Sequence, residues 1–281
     1  YAEAYPHIRL TGAAYALAVT PRAGLRDRLK ALTERYTQYI PYQRCAGAFA
    51  ADSREMQGSY VMTYGTFIPG GLAPANADAW IDMLRAIGIT QVDFHGAEGG
   101  NFTFGDFEPN REIFPEGRKS FKQLIDRLHA AGIRAILHSY SSLIGPTSSL
   151  VTPVPHPALG YNRAFTLARD LDAADSTVAI AEATDDVSLV HTSHYNSSTY
   201  VVVDDEIIQF RALGDHALKD CVRGALGTRP AAHTAGAPAR NLKRMYDIFA
   251  PGLDGGLFRL VAQNTADFFN ECGFDAFYFD A

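Results

Sequence analysis

The sequence closes on Gly273-Phe-Asp-Ala-Phe-Tyr-Phe-Asp-Ala281, an apolar run that ends on the carboxylate of Asp280. An acid at the carboxyl end of such a run either serves as a nucleophile at a strand end or caps the following element. Three earlier runs end in the same manner. YVMTYGT carries Met62 and Tyr64, TQVDFH carries Asp93 and His95, and IRAILHSY carries His138 and Tyr140. Side chains alternate between the two faces of a strand, so within each run the two named residues share one face, and Tyr278 shares it with Asp280. Carboxylates, imidazoles and phenols gathered at one mouth exceed what a packed core needs, because buried polar groups are costly unless paired or used. Taken singly, each has a plainer role: His95 and His138 as core or rim histidines, the tyrosines as packing, Asp93 as the partner of a nearby base.

Together these residue types suit chemistry on a sugar. Hydrolysis of a glycosidic bond takes two carboxylates, one protonating the leaving oxygen while the other attacks the anomeric carbon or activates water. Asp280 is the expected nucleophile, and Glu98, in the loop after the second run, is the candidate partner acid. Tyr64, Asp93, His95, His138, Tyr140 and Tyr278 are then expected to hold hydroxyls. Phe102, Phe104 and Phe107 in the same loop either offer aromatic faces to sugar rings or pack the loop. Three alternatives use the same residues. In a polysaccharide lyase, Tyr140 or Tyr64 takes the proton beside a uronate carboxylate that His138 neutralises. In a metal hydrolase, Asp93, His95, His138 and Asp280 hold a divalent ion, although no HxH or HExxH spacing is present. A non-catalytic carbohydrate-binding module keeps the mouth without turnover. No cofactor is expected.

The elements that position these residues follow from periodicity. Strand is expected over Tyr60–Thr66, Thr90–His95 and Ile133–Tyr140, and again after Gly273. Helix is expected over Pro74–Ile87, with Trp80, Met83 and Leu84 at core spacing, over Arg118–Ala131, with Phe121, Leu124, Ile125 and Leu128 on one face, and over Leu257–Asn270, with Leu260, Val261, Ala266 and Phe268. Strands alternating with helices across short turns imply right-handed crossovers and a parallel sheet, closed as a barrel or doubly wound. The reading adopted is an α/β fold, a (β/α)8-type barrel with its strands 1 to 4 visible and a β-rich insertion after strand 3. The barrel portion is expected at 59–145 and 246–281 and the insertion at 146–245, where Tyr200–Phe210 (YVVVDDEIIQF) predicts a hairpin about Asp204 and Asp205. Residues 1–58 fit neither pattern; a strand over Ile8–Val19 and an amphipathic helix over Gly24–Tyr39 are expected there, as the end of an upstream domain. Because the chain lacks an initial Met and ends with a strand, it is expected to be a segment of a longer protein that continues past Ala281.

Two resemblances attach to these motifs. The order of a long loop after the second strand, FKQLIDRLHAAGIRAILHSY, a β-rich insertion and GFDAFYFDA resembles the first half of an α-amylase-type barrel, over about Arg85–Ala281. In that family a GVDGFRxDA-like segment carries the nucleophile on the fourth strand. Gly273, Asp275, Phe277, Asp280 and Ala281 match it, and the resemblance implies that Asp280 is the nucleophile. Tyr278 stands where that family has Arg, and His138-Ser-Tyr-Ser141 replaces its third-strand Asp and His. The strand ending is also similar to the WFDG-like segment of α-L-fucosidases and to other retaining α-glycosidases. Separately, the stretch Cys221-Val-Arg-Gly-Ala-Leu-Gly-Thr-Arg-Pro-Ala-Ala-His233 after the EII strand resembles a small β-module of phage-tail and surface proteins. There Arg223, Thr228 and His233 are expected to tie the module together.

Composition narrows the partners. The formal charge is −6, from 25 basic and 31 acidic residues in 281, and no basic block tracks a phosphate backbone, so nucleic acid is not an expected partner. No apolar run approaches the ~20 residues that span a bilayer, so no membrane segment is expected, and Tyr1–Leu10 lacks the charged start and apolar middle of a signal peptide, which leaves a secreted or periplasmic location open. An oligo- or polysaccharide is the expected partner. Cys45, Cys221 and Cys272 are too few and too widely spaced for a disulfide framework or a zinc knuckle, and are expected to be small buried hydrophobes, with a single disulfide the remaining option.

Overall fold

Apolar periodicity sets the first helix, α1 (Ala77–Ile87), whose Ala77, Ile81 and Leu84 are buried and whose C-terminus closes on left-handed Gly88. It follows β1 (Tyr60–Thr63) and precedes β2 (Gln91–His95). Next come α2 (Arg118–Ala130) and β3 (Arg134–Ser139). The computed structural model describes residues 24, 60–63, 71–97, 99–189, 198–253 and 256–280. Apart from Gly24, all of these belong to the compact unit Ser59–Ala281. Tyr64, Glu98, Cys45, the strand expected over Ile8–Val19 and all but Gly24 of the helix expected over Gly24–Tyr39 lie outside the described residues.

After a β-rich stretch, helix α3 (Leu257–Cys272) leads through Gly273 into a last strand, Ala276–Phe279, labelled β13 in chain order. The strands β1, β2, β3 and β13 form one parallel sheet in that order. Helices α1 and α2 pack on each other, as do α2 and α3, so the crossovers share one layer. Phe94 of β2 meets Phe121 of α2 at 5.1 Å between centroids, and Phe121 meets Phe268 of α3 at 5.3 Å. Val92, Phe94, Ala135 and Leu137 face this helix layer and are fully buried. Their neighbours of opposite parity therefore face away from the helices. One expectation about a helix face is corrected: Met83 is 44% exposed while Ile81 takes the core position. In α3 the buried stripe is Leu257, Val261, Thr265, Phe268 and Cys272, and Leu260 is 40% exposed.

Between β3 and α3 the chain is antiparallel. β4 (Tyr161–Thr166), β6 (Tyr200–Val203), β7 (Glu206–Gln209) and β10 (Pro238–Leu242) form a sheet in the order β4-β10-β6-β7. A smaller sheet holds β5 (Val178–Ala179), β9 (Ala217–Lys219) and β8 (Ala212–Gly214). The hairpin expected about Asp204 and Asp205 joins β6 to β7, with Asp204 left-handed at φ 50°. Tyr200, Val202, Ile207 and Leu242 belong to the same core as the parallel sheet, whereas Val201, Val203, Ile208 and Ala239 face a second core with Val178 and Leu218. Burial on both faces is why this strand reads as unbroken YVVV instead of alternating. A last hairpin, β11 (Arg244–Met245) and β12 (Ile248–Phe249), turns at Tyr246 and Asp247. Phe249 exchanges backbone hydrogen bonds of 2.7 and 2.8 Å with Ile144, which fastens the hairpin to the loop after β3.

Candidate active site

Parallel register places His95, His138 and Tyr278 side by side across three strands, with Asp93 one row below. All four lie on the face away from the helices. Asp93, His95 and His138 are buried, at 2%, 6% and 2% exposure. Tyr278 and the Asp280 side chain are open to solvent, at 41% and 48%. The ladder continues past β13, since the Asp280 backbone N–H donates to the Ser139 carbonyl at 3.0 Å, so the last carboxylate is aimed by the sheet itself.

His138 is the hub. Its Nδ1 lies 3.1 Å from Asp93 Oδ2, and its Nε2 faces Asp280 Oδ2 at 3.5 Å, within ion-pair range but without a hydrogen bond. With Nδ1–H donated to the buried Asp93, Nε2 is the nitrogen that meets the mouth. The second Asp93 oxygen, Oδ1, is buried and has no hydrogen-bond partner among the described residues. Above this pair, the His95 ring sits 4.2 Å from that of His138, and His95 Nε2 lies 3.3 Å from the Tyr140 hydroxyl. Burial, and then the proximity of His138, lower the His95 pKa to about 4, against smaller raising effects of the Gly96 backbone and Asp280. His95 is therefore a neutral imidazole at physiological pH, able to accept or donate one hydrogen bond to a hydroxyl.

The loop after β2 supplies the floor. Asn101 donates to the Thr63 and His95 carbonyls at 2.7 and 3.1 Å and so ties two strand ends together. Phe102, Phe104 and Phe107 are buried, at 1%, 3% and 0% exposure, so of the two roles expected for them packing is the one realised. Phe104 still walls the mouth, edge-on to His95 at 5.7 Å and to Tyr140 at 5.2 Å. Tyr140 is stacked on Tyr246 from the β11–β12 turn, at 5.2 Å and 21°. Beyond Tyr140, a groove of ≈ 540 Å³ runs past Ser141, Ser142, Tyr161 and Lys243.

Of the residues expected at the mouth, Asp93, His95, His138, Tyr140, Tyr278 and Asp280 come together, and Tyr64 and Glu98 fall outside the described residues. Tyr246 was not anticipated, since RMYDIF carries neither the Gly nor the Asn that marks a tight hairpin. Among the described residues no three His, Cys, Asp or Glu side chains are grouped so as to hold a metal ion, and no helix is long and apolar enough to cross a membrane. Cys221 and Cys272 are buried free thiols, pushed up to about 11 and 12 by burial.

A second polar cluster lies in the antiparallel region. Glu206, 1% exposed, accepts two hydrogen bonds from Arg223 at 2.8 and 2.7 Å, one from the Gly224 N–H at 2.8 Å and one from the Ala231 N–H at 3.1 Å. His233 bridges it, with Nε2 at 2.8 Å from Glu206 and Nδ1 at 2.7 Å from Asp204. Burial alone would raise the Glu206 pKa, but these donors, Arg223 and His233 foremost, bring it below the ordinary value. Thr228 accepts from the Ile207 N–H at 3.0 Å. Arg223, Thr228 and His233 thus hold the strands of this region to one another.

No protein-family model and no curated protein matches the sequence. Similar solved structures include trehalulose synthase MutB from Pseudomonas mesoacidophila MX-45, at 13% identity over 79% of this chain and 34% of that one, with a TM-score of 0.44. They also include a mutant isomaltulose synthase from Erwinia rhapontici NX5 in complex with sucrose, at 10% identity over 80% and 34%, with a TM-score of 0.45. An α-galactosidase from Thermus thermophilus shares 24% identity over 33% of this chain and 18% of its own, with a TM-score of 0.25. The chain spans about a third of the length of the two synthases.

Proposed function

We propose that this chain is the site-bearing part of a carbohydrate-active enzyme built on a (β/α)8-type barrel, with residues 59–145 and 246–281 in the barrel and 146–245 inserted after the third strand. More particularly, the reaction is hydrolysis of a glycosidic bond in an oligo- or polysaccharide, with Asp280 as nucleophile. The observation that carries this reading is the line Asp93–His138–Asp280, in which a buried carboxylate orients a buried imidazole toward an accessible carboxylate at a strand end.

The chemistry follows from that line. Asp93 fixes the His138 tautomer and ring plane, and the imidazole, with Nε2 3.5 Å from Asp280 Oδ2, flanks one oxygen of that carboxylate and leaves the other free to face the mouth. In the first step that free oxygen bonds to the anomeric carbon as the glycosidic C–O bond breaks, and a partner acid protonates the departing oxygen. Glu98, which lies outside the described residues, remains the candidate partner; a retaining reaction requires its carboxylate to come within about 5–5.5 Å of that of Asp280. Water then displaces Asp280 with the same partner acting as base. Neutral His95, with Tyr140 and Tyr278, holds sugar hydroxyls without placing a second cation beside the developing positive charge of the ring.

Turnover of a panel of 4-nitrophenyl glycosides tests this reading. Asp280→Asn should lower hydrolysis by about 10³-fold or more while leaving the unfolding curve unchanged. An active Asp280→Asn variant would remove Asp280 from the mechanism. The contact between Tyr140 and neutral His95 favours one second reading, a lyase in which Tyr140 abstracts the proton beside a uronate carboxylate. In that case uronic-acid polymers yield ultraviolet-absorbing unsaturated products, and Tyr140→Phe is the variant that loses activity.

A further inference from the structure

The turn between β11 and β12 has two residues, and both are left-handed, Tyr246 at φ 51° and Asp247 at φ 63°. Right-handed strand twist favours such a turn, but it calls for Asn, Asp or Gly. Asp247 satisfies that demand. Tyr246 does not, since a bulky side chain at positive φ is a conformational outlier. Strained backbone persists only where its surroundings over-determine it. Here the surroundings are identifiable: Phe249 is paired with Ile144, Arg244 forms a 3.2 Å ion pair with Asp247, and the Arg244 guanidinium lies 4.9 Å from the Tyr200 ring. What the turn delivers is one ring, laid flat on Tyr140, whose hydroxyl meets His95.

We propose that Tyr246 is a positioning residue, which clamps Tyr140 and through it His95 at the mouth, and that the left-handed turn is kept because it places that ring. The role rests on the mouth being the active site. It also makes the β11–β12 hairpin part of the site.

Three readouts on wild type, Tyr246→Phe and Tyr246→Asn test the proposal: thermal unfolding, NMR titration of His95 assigned with His95→Gln, and hydrolysis of whichever 4-nitrophenyl glycoside the wild type cleaves. His95 is faced by His138, Tyr140, Phe104 and Asp280, with Asp93 on its own strand. Tyr246→Phe keeps the stacked ring and should keep the wild-type His95 titration. Asn suits the first position of this turn, so Tyr246→Asn should unfold at the same temperature or about 2 °C higher. With Tyr140 loosened, water reaches His95, so its pKa should climb from about 4 toward 6.5, and turnover should drop about tenfold. An unmoved His95 titration in Tyr246→Asn overturns the clamp, and a Tm lowered by several degrees marks the ring as ordinary packing. If the wild type cleaves no glycoside, the hydrolase reading fails, and the His95 titration still decides the role of Tyr246.

Discussion

Two polar clusters of this chain each set a buried carboxylate against a buried imidazole, and they end in opposite states. Around Glu206 every carboxylate oxygen is met by Arg223, His233 or a backbone N–H. Around His138, Asp93 Oδ1 and His138 Nε2 are buried without a hydrogen-bond partner among the described residues, and the line ends on a half-exposed acid. A satisfied network of charges rigidifies a fold, whereas orphaned polar atoms beside an open mouth are a cost that stability does not explain. The first cluster thus has the build of a brace, and the second that of the active site proposed for it.

Removing one member of the satisfied cluster should have the largest effect. Glu206→Ala leaves the Arg223 guanidinium and His233 buried without their shared acceptor, and should cost about 3–5 kcal/mol in urea unfolding. A loss under about 1 kcal/mol would mean that the cluster is not structural, and the contrast between the two regions would collapse.

At the mouth the same kind of change should do the reverse. Asp93→Asn keeps the shape, removes a buried charge with an unpartnered oxygen, and should alter stability by no more than about 1 kcal/mol. Its Nδ2 or Oδ1 can still meet His138, but the preference for the Nδ1–H tautomer is lost, so turnover should decline by about 10- to 100-fold. Loss of stability with activity intact would place Asp93 among the architectural residues.

The mouth was legible in the sequence because period-2 alternation is strict: once each strand's last polar residue is placed, parity brings Asp93, His95, His138, Tyr278 and Asp280 to one face, as the register does. The layout of the β6–β7 hairpin was legible for a similar local reason. Features that depend on tertiary surroundings were not. Phe102 and Phe107 look like loop aromatics in one dimension, and only the approach of Phe121 and Phe268 makes them core. Met83 and Ile81 both fit a helical stripe, and the neighbouring α2 decides which faces inward. Tyr246 left no local signal because its backbone runs against propensity.

Acid should separate the two clusters most finely. His95 titrates near 6.5 when unfolded and at about 4 when folded. Above pH 6.5 it is neutral in both states and contributes no pH dependence. As pH falls from about 6.5 toward 4, the unfolded chain takes up a proton that the folded site refuses, so the folded state loses stability across that window. The lowered Glu206 pKa acts with the same sign but in a lower window, since its contribution is complete above its ordinary value of 4.5 and is lost below it. The stability gap between wild type and His95→Gln should thus narrow between pH 7 and 4.5, while that between wild type and Glu206→Gln should stay constant over the same range. Parallel curves for all three proteins would mean that His95 carries no desolvation penalty. The mouth would then be as well solvated as any surface pocket, and the distinction between an unsatisfied site and a satisfied brace would lose its electrostatic basis.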